Sequence, residues 1–214
     1  MTWVKVFSPQ TTTLGAMPSS VEFFDQQFRS ATPEALLRLN PFEGKVLPYL
    51  RGEVLDFGCG MGNLAFAAAA QGCRVTALDG SAVAIAHIRA RAATESADVQ
   101  ATQADLRQHQ LPGSFDSVVS IGLLMFFDCP GMDRVLADLQ ARVRPGGCAA
   151  INLLVEGTTF LDMFDPTSQC LWPANELENR FAGWEIVLSE TSEFSGPRDT
   201  VKRFATVIAR KPAS

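Results

Sequence analysis

One stretch constrains the fold more than any other: EVLDFGCGMGNLAFAAAAQGCRVTALDGS, Glu53 to Ser81. It reads as a short buried strand (EVLDF), a glycine loop, an alanine-rich helix stopped by Gly72, and a second strand (RVTALD). A helix opened by Ser81, SAVAIAHIRARAA, follows at once. The alternation then continues. DVQATQAD reads as a weaker strand, SFDSVVSIG as a strong one, PGMDRVLADLQARVRP as a helix and GGCAAINLLV as a further strand. Such alternation implies a parallel sheet with helices on both faces.

The last third breaks the pattern. Residues 156–172 form a long irregular segment, PANELENRF a short helix, and WEIVLSE and TVKRFATVIARK two strands with only a short connection between them. Strands so joined pair antiparallel. The expected fold is therefore α/β, a doubly wound seven-stranded sheet that is mostly parallel and finishes in an antiparallel C-terminal hairpin. Ahead of the sheet, residues 8–20 are turn-rich. SSVEFFDQQFRS then sets Val21, Phe24 and Phe28 on one helical face with Ser20 as N-cap. A second short helical region, punctuated by Pro33 and Pro41, ends near Leu50.

Composition narrows the function classes. The formal net charge is −5 and no Lys/Arg cluster occurs, which argues against nucleic-acid and anionic-membrane partners. No apolar run reaches the roughly 18 residues of a membrane span. The start, MTWVKVFSPQTTT, has no signal-peptide apolar region. Cys59, Cys73, Cys129, Cys148 and Cys170 are odd in number, widely spaced and free of CxxC pairs. The expectation is reduced thiols in a cytoplasmic protein, with neither a disulfide framework nor a metal site.

The glycine loop carries the chemistry. Glycines let backbone come close to a ligand, and the helix that follows offers free N–H groups and a positive dipole end. Dinucleotide sites use GxGxxG. Here the loop is Asp56-Phe57-Gly58-Cys59-Gly60-Met61-Gly62. A carboxylate two residues before the first glycine repels a pyrophosphate and suits a cationic, amine-bearing ligand. S-adenosylmethionine (SAM), with its ammonium and sulfonium, is such a ligand. Asp79, ending the second strand, is placed for ribose hydroxyls. Asp105 can accept from an adenine amino group, and Leu106 can lie on the ring.

At these residues the chain resembles the class I SAM-dependent methyltransferases. VLDFGCGMGN is similar to their first motif, VTALDGS to the second, QADL to the third and FDSVVSIGLLMF to the fourth. The resemblance implies a Rossmann-like sheet and a SAM site in which Asp56, Gly58 and Gly60 face the methionine moiety. It assigns Asp79 to the ribose, Asp105 and Leu106 to the adenine, and Ser120, Ile121 and Gly122 to the sulfonium. Cys59, Asn63, Leu64, Gly80 and Ser81 complete the implied cofactor-binding set. LLMFFD, RPGG, ANELENRFAGWEIVLSE and RFATVIARK carry a narrower resemblance, to the tellurite-resistance methyltransferases. That implies a small-molecule acceptor, possible oxyanion chemistry, and Arg203 as the catalytic and anion-binding residue. The chain then divides into an N-terminal helical cap (1–50), a SAM-binding core (51–155) and a substrate-side segment with the terminal hairpin (156–214), all one domain.

Each assignment has a plainer counterpart. Asp56 and Asp79 could be turn and helix-start residues, Cys59 is a small space-filler rather than a nucleophile, and Arg203 could pair with a surface acid. Phe126, just after the fourth strand, is assigned to the acceptor pocket, as is Trp172 in the lid-like segment. His87 and His109 are not expected to be catalytic. A soft nucleophile needs little general base, which agrees with that absence. Other acceptors (thiol, carboxylic acid, amine), a nicotinamide oxidoreductase and a non-catalytic SAM-binding module stay open. The partner is expected to be a small molecule, and the chain a monomer or homodimer.

Overall fold

The structure is a computed structural model that describes residues 20–30, 38–111, 113–165 and 168–213. The expectations for the turn-rich start and for Pro33 lie outside these residues. The strands are β1 (Glu53–Phe57), β2 (Arg74–Asp79), β3 (Val99–Gln103), β4 (Phe115–Ile121), β5 (Val143–Leu154), β6 (Glu185–Ser195) and β7 (Val201–Arg210). They form one sheet in the order β3-β2-β1-β4-β5-β7-β6. β3 through β5 run parallel, and β7 lies antiparallel between β5 and β6. The expected fold class is the one observed.

The helices are α1 (Ser20–Ser30), α2 (Pro41–Val46), α3 (Asn63–Ala70), α4 (Ala82–Glu95), α5 (Cys129–Arg142) and α6 (Glu176–Asn179). Their ends follow from local chemistry. Asn40 caps α2 in a full capping box, its side chain accepting from Phe42 and Glu43 N–H while Glu43 accepts from Asn40 N–H. Ser81 caps α4 by accepting from Ala84 N at 3.0 Å. Gly72, at φ 89°, ends the α3 segment in a conformation that a side chain disfavours. α5 stops at Arg142 and β5 begins with Val143, three residues ahead of the run GGCAAINLLV.

Both faces of the sheet are buried, as a parallel sheet requires. One core joins Leu55, Phe57 and Val118 to α5, α6 and the 156–172 segment. The other joins Val54, Val75 and Val119 to α2, α3 and α4. Leu55, Val118 and Val119 have no exposed surface. Each such side chain contributes roughly 1.5–3 kcal/mol on burial. α3 shows why an alanine-rich helix sits here: small side chains let it lie close against the second core, with Ala65 and Ala68 fully packed.

One expectation is overturned. Cys129 and Cys170 form a disulfide, with Cα atoms 5.0 Å apart and a sequence separation of 41. Cysteine count and spacing carried no sign of it, because the pairing depends on a tertiary meeting. The start of α5 and the end of the 156–172 segment come together beside the loop after β4, where Cys170 N also donates to Met125 O at 3.0 Å. Cys59, Cys73 and Cys148 are free and buried. The thiol ground for a cytoplasmic location is thereby removed.

Candidate functional site

The strand order reverses between β1 and β4, and the carboxyl ends of these two strands with β2 open one crevice, the usual ligand position in such sheets. Asp56, near the end of β1, is 5% exposed, and its Oδ2 has no hydrogen-bond partner. Burial, then the charges of Glu43 and Asp79, push its pKa up to about 8. Glu43 on α2 is pushed up to about 7, by burial against the opposing effect of its bond from Asn40. Asp79 is raised too, chiefly by burial. No ion pair engages these three acids among the described residues. Carboxylates held together without a cation fit a ligand that brings positive charge.

The turn after β1 is built to come near that ligand. Gly58 has φ 85°, and a Cβ there would lie 2.8 Å from the Leu123 side chain. Gly62, at φ 78°, starts α3, and a Cβ would meet Ile88 at 2.8 Å. Both strain and space forbid other residues at these two positions. Asp79 fixes the turn: its Oδ2 accepts from Gly60 N at 2.9 Å and its Oδ1 from Ser81 N at 2.8 Å. Each oxygen keeps a further lone pair for a ligand hydroxyl.

The other expected residues are placed as follows. Cys59 is buried, and desolvation first, then Asp56 and Asp79, hold its thiol protonated, as a space-filler would be. Asn63 opens α3 and donates to Arg38 O at 3.0 Å, while Leu64 is buried in the core. Gly80 follows β2, and its carbonyl accepts from Gln103. Asp105 is exposed and accepts from Arg107 N at 3.1 Å, and Leu106 is buried beside it. Ser120, near the end of β4, is buried with an unpartnered hydroxyl. Ile121 closes the strand, and Gly122 donates to Asn152 O at 2.8 Å.

The acceptor-side residues divide. Phe126 sits at the end of the turn after β4, with the Phe24 ring 5.4 Å away edge-on and the Phe164 ring at 5.0 Å. Trp172 is in the core under the Arg180 guanidinium, 4.8 Å from its ring, and its backbone bridges Val155. Arg203 lies against Gly157 and Glu193, with Nε 3.5 Å from the Glu193 carboxylate. The plainer reading, pairing with an acid, is what the contacts of Arg203 display.

Three further groups stand beside or beyond the crevice and are absent from the expected set. Glu43 reaches it from α2, ahead of the glycine loop. α1 crosses it: Asp25 accepts from the Ser81 hydroxyl, Val21 lies over Gly80, and the Phe28 ring lies over Gly60. Lys202, one residue from Arg203, occupies the aromatic wall beyond it. Only the amphipathic pattern of α1 could have hinted at such a cover.

Comparison with known proteins adds a domain match. A methyltransferase domain matches residues 54–147. Hemagglutinin 1 of Eikenella corrodens is 28% identical over 173 residues, covering 75% of this chain and 55% of its own length. Ubiquinone biosynthesis O-methyltransferase of Albidiferax ferrireducens is 32% identical over 158 residues, covering 68% of this chain and 62% of its own length. The chain thus spans little more than half the length of these curated relatives. Among solved structures, TehB from Haemophilus influenzae shares the fold with a TM-score of 0.71 at 19% identity, over 90% of this chain and 67% of that one. The acid-bearing glycine turn, at the reversal of a sheet that ends in an antiparallel hairpin, thus lies inside the stretch that matches a methyltransferase domain.

Proposed function

We propose that the chain transfers the methyl group of SAM to a small-molecule acceptor whose attacking atom is soft or already anionic. The observation that carries this is the buried, unpartnered Oδ2 of Asp56 beside Glu43 and Asp79. When bound, SAM supplies a methyl carbon made electrophilic by its sulfonium. Asp56, with Glu43 behind it, would hold the ammonium, Asp79 the ribose hydroxyls, and Asp105 and Leu106 the adenine. Ser120 to Gly122 would border the sulfonium, and Phe126 would keep water from the acceptor side. The protein's work is alignment and exclusion of water, worth roughly 7–11 kcal/mol of barrier in well-oriented systems. His87 lies on α4, where burial and then Arg91 lower its pKa.

A soft or anionic nucleophile needs no base, so a thiol or a tellurite- or selenite-type oxyanion fits this reading. The likeness to TehB supports the fold, and the oxyanion remains a proposal resting on the motif resemblance. The test is release of S-adenosylhomocysteine (SAH) with tellurite, selenite, thiols, carboxylic acids and amines, with Asp79→Ala as the inactive control. Turnover of a thiol or an oxyanion is the expected result. SAH binding without turnover of any acceptor refutes transfer and leaves a SAM-binding module.

A further inference from the structure

Lys202 stands on an aromatic wall beyond the crevice. It lies near the start of β7, with Phe194 of β6 as its register partner. Residues two apart on a strand share a face, so Phe204 stands on that face too. The rings of Phe42, Phe194 and Phe204 touch one another, with centroids 4.9–5.9 Å apart. Lys202 Nζ lies 4.3 Å from the centre of the Phe160 ring. Its neighbours in sequence and space are neutralised: Arg203 by Glu193, Arg198 by Asp162, Lys45 by Glu190. Lys202 makes no ion pair among the described residues, although it is half-buried, and burial lowers its pKa. Two stretches of chain lead from this wall towards the cofactor crevice. Phe42 is adjacent on α2 to Glu43, whose charge reaches Asp56. Phe160 shares its segment with Phe164, which lies on Phe126.

We propose that Lys202 binds the acceptor, and that the acceptor is an apolar molecule attacking through an anionic sulfur or oxygen, a thiolate or carboxylate. This rests on the methyl-transfer reading above. The Phe160 ring offsets part of the cost of half-burying this ammonium, and an arriving anion would stabilise it further. The rings contact the apolar body of the acceptor, and the ammonium holds its charged end. In the step, the acceptor anion forms the new bond to carbon, and the carbon–sulfonium bond breaks with its electron pair left on the departing sulfur. One negative and one positive charge cancel and no proton moves, so Lys202 acts as a cation and not as a base.

The experiment compares wild type, Lys202→Met and Lys202→Arg. Calorimetry measures SAH binding, then binding of thiophenolate, benzoate and neutral benzyl alcohol to the SAH-saturated protein. Turnover of thiophenol with SAM is followed in parallel. Lys202→Met should weaken both anions roughly 10- to 100-fold, the value of one charge-assisted contact. SAH and benzyl alcohol should be unchanged, and Lys202→Arg should recover most of the loss. Equal losses for anion and alcohol, weakened SAH binding, or an arginine variant as defective as the methionine one would each overturn the proposal. Lys202-dependent anion binding without thiophenol turnover would uphold the site and count against methyl transfer instead.

Discussion

Asp56→Asn tests the charge logic of the cofactor crevice most directly. The Asp56 carboxyl is moved from an ordinary 3.8 to about 8. At roughly 1.4 kcal/mol per pH unit, that difference sets about 6 kcal/mol as the ceiling on the cost of ionising it in the ligand-free protein. At neutral pH the group is mostly protonated, and a ligand ammonium favours the ionised form. Binding must therefore release a proton. SAH keeps the ammonium, so its affinity should rise roughly 50-fold between pH 6 and pH 8 as the ionised fraction of Asp56 grows. Calorimetry in buffers of different ionisation enthalpy should count about 0.9 proton released at pH 7. Asp56→Asn should bind SAH roughly 10- to 100-fold more weakly at pH 8, with most of that pH dependence gone. Stability moves the other way. A carboxyl with a raised folded pKa contributes stability that is full below its unfolded value of 3.8 and is lost as pH rises through 8. The ligand-free Asn variant should thus melt higher than wild type at pH 8.5, with the gap closing towards pH 4. Flat SAH affinity across pH 6 to 8, or an Asn variant that binds like wild type, would refute the reasoning.

Other substitutions reach separate parts of the site. Asp79→Ala removes the acceptor for Gly60 and Ser81 N–H, so it should lower stability by about 1–3 kcal/mol and abolish SAH binding, read by urea titration and calorimetry. Phe126→Ala strips the contacts to Phe24 and Phe164 and should cost about 3–5 kcal/mol by urea titration, while raising the acceptor KM. Reduction of Cys129–Cys170 should lower Tm through a loss of about 2–4 kcal/mol, and dithiothreitol should have no such effect on Cys129→Ser/Cys170→Ser. Arg203→Ala should leave SAH affinity unchanged, and a parallel loss of SAH and acceptor binding would mark the residue as structural.

What was legible in the sequence was local. Asp56, three glycines and Asp79 sit within one strand–turn–helix–strand unit, so their spacing alone fixes their meeting. The parallel sheet followed from the alternation of strands and helices, and the hairpin followed from the short link between β6 and β7. What escaped was tertiary. Glu43 reaches Asp56 because α2 lies against the sheet, and no spacing rule links them. Cys129 and Cys170 are far apart until the 156–172 segment closes on α5. Arg203 and Lys202 show the limit most sharply. Adjacent residues on a strand point to opposite faces, so a reading off by one position selects the wrong side of the sheet. The R-F-A motif drew attention to Arg203, and register turns Lys202 towards the aromatic wall.

α1 has a consequence for the order of events in turnover. It lies over Gly60, Gly80 and Ser81 and rests Phe24 on Phe126, yet none of its own residues is buried. With Phe23 and Phe24 only partly buried against one core, α1 costs less to displace than an element inside either core. Displacing α1 would uncover the glycine turn and Phe126 together. On the methyl-transfer reading proposed above, the expected kinetic signature is an ordered mechanism in which the nucleoside enters first and leaves last, and random-order initial-rate patterns would refute it.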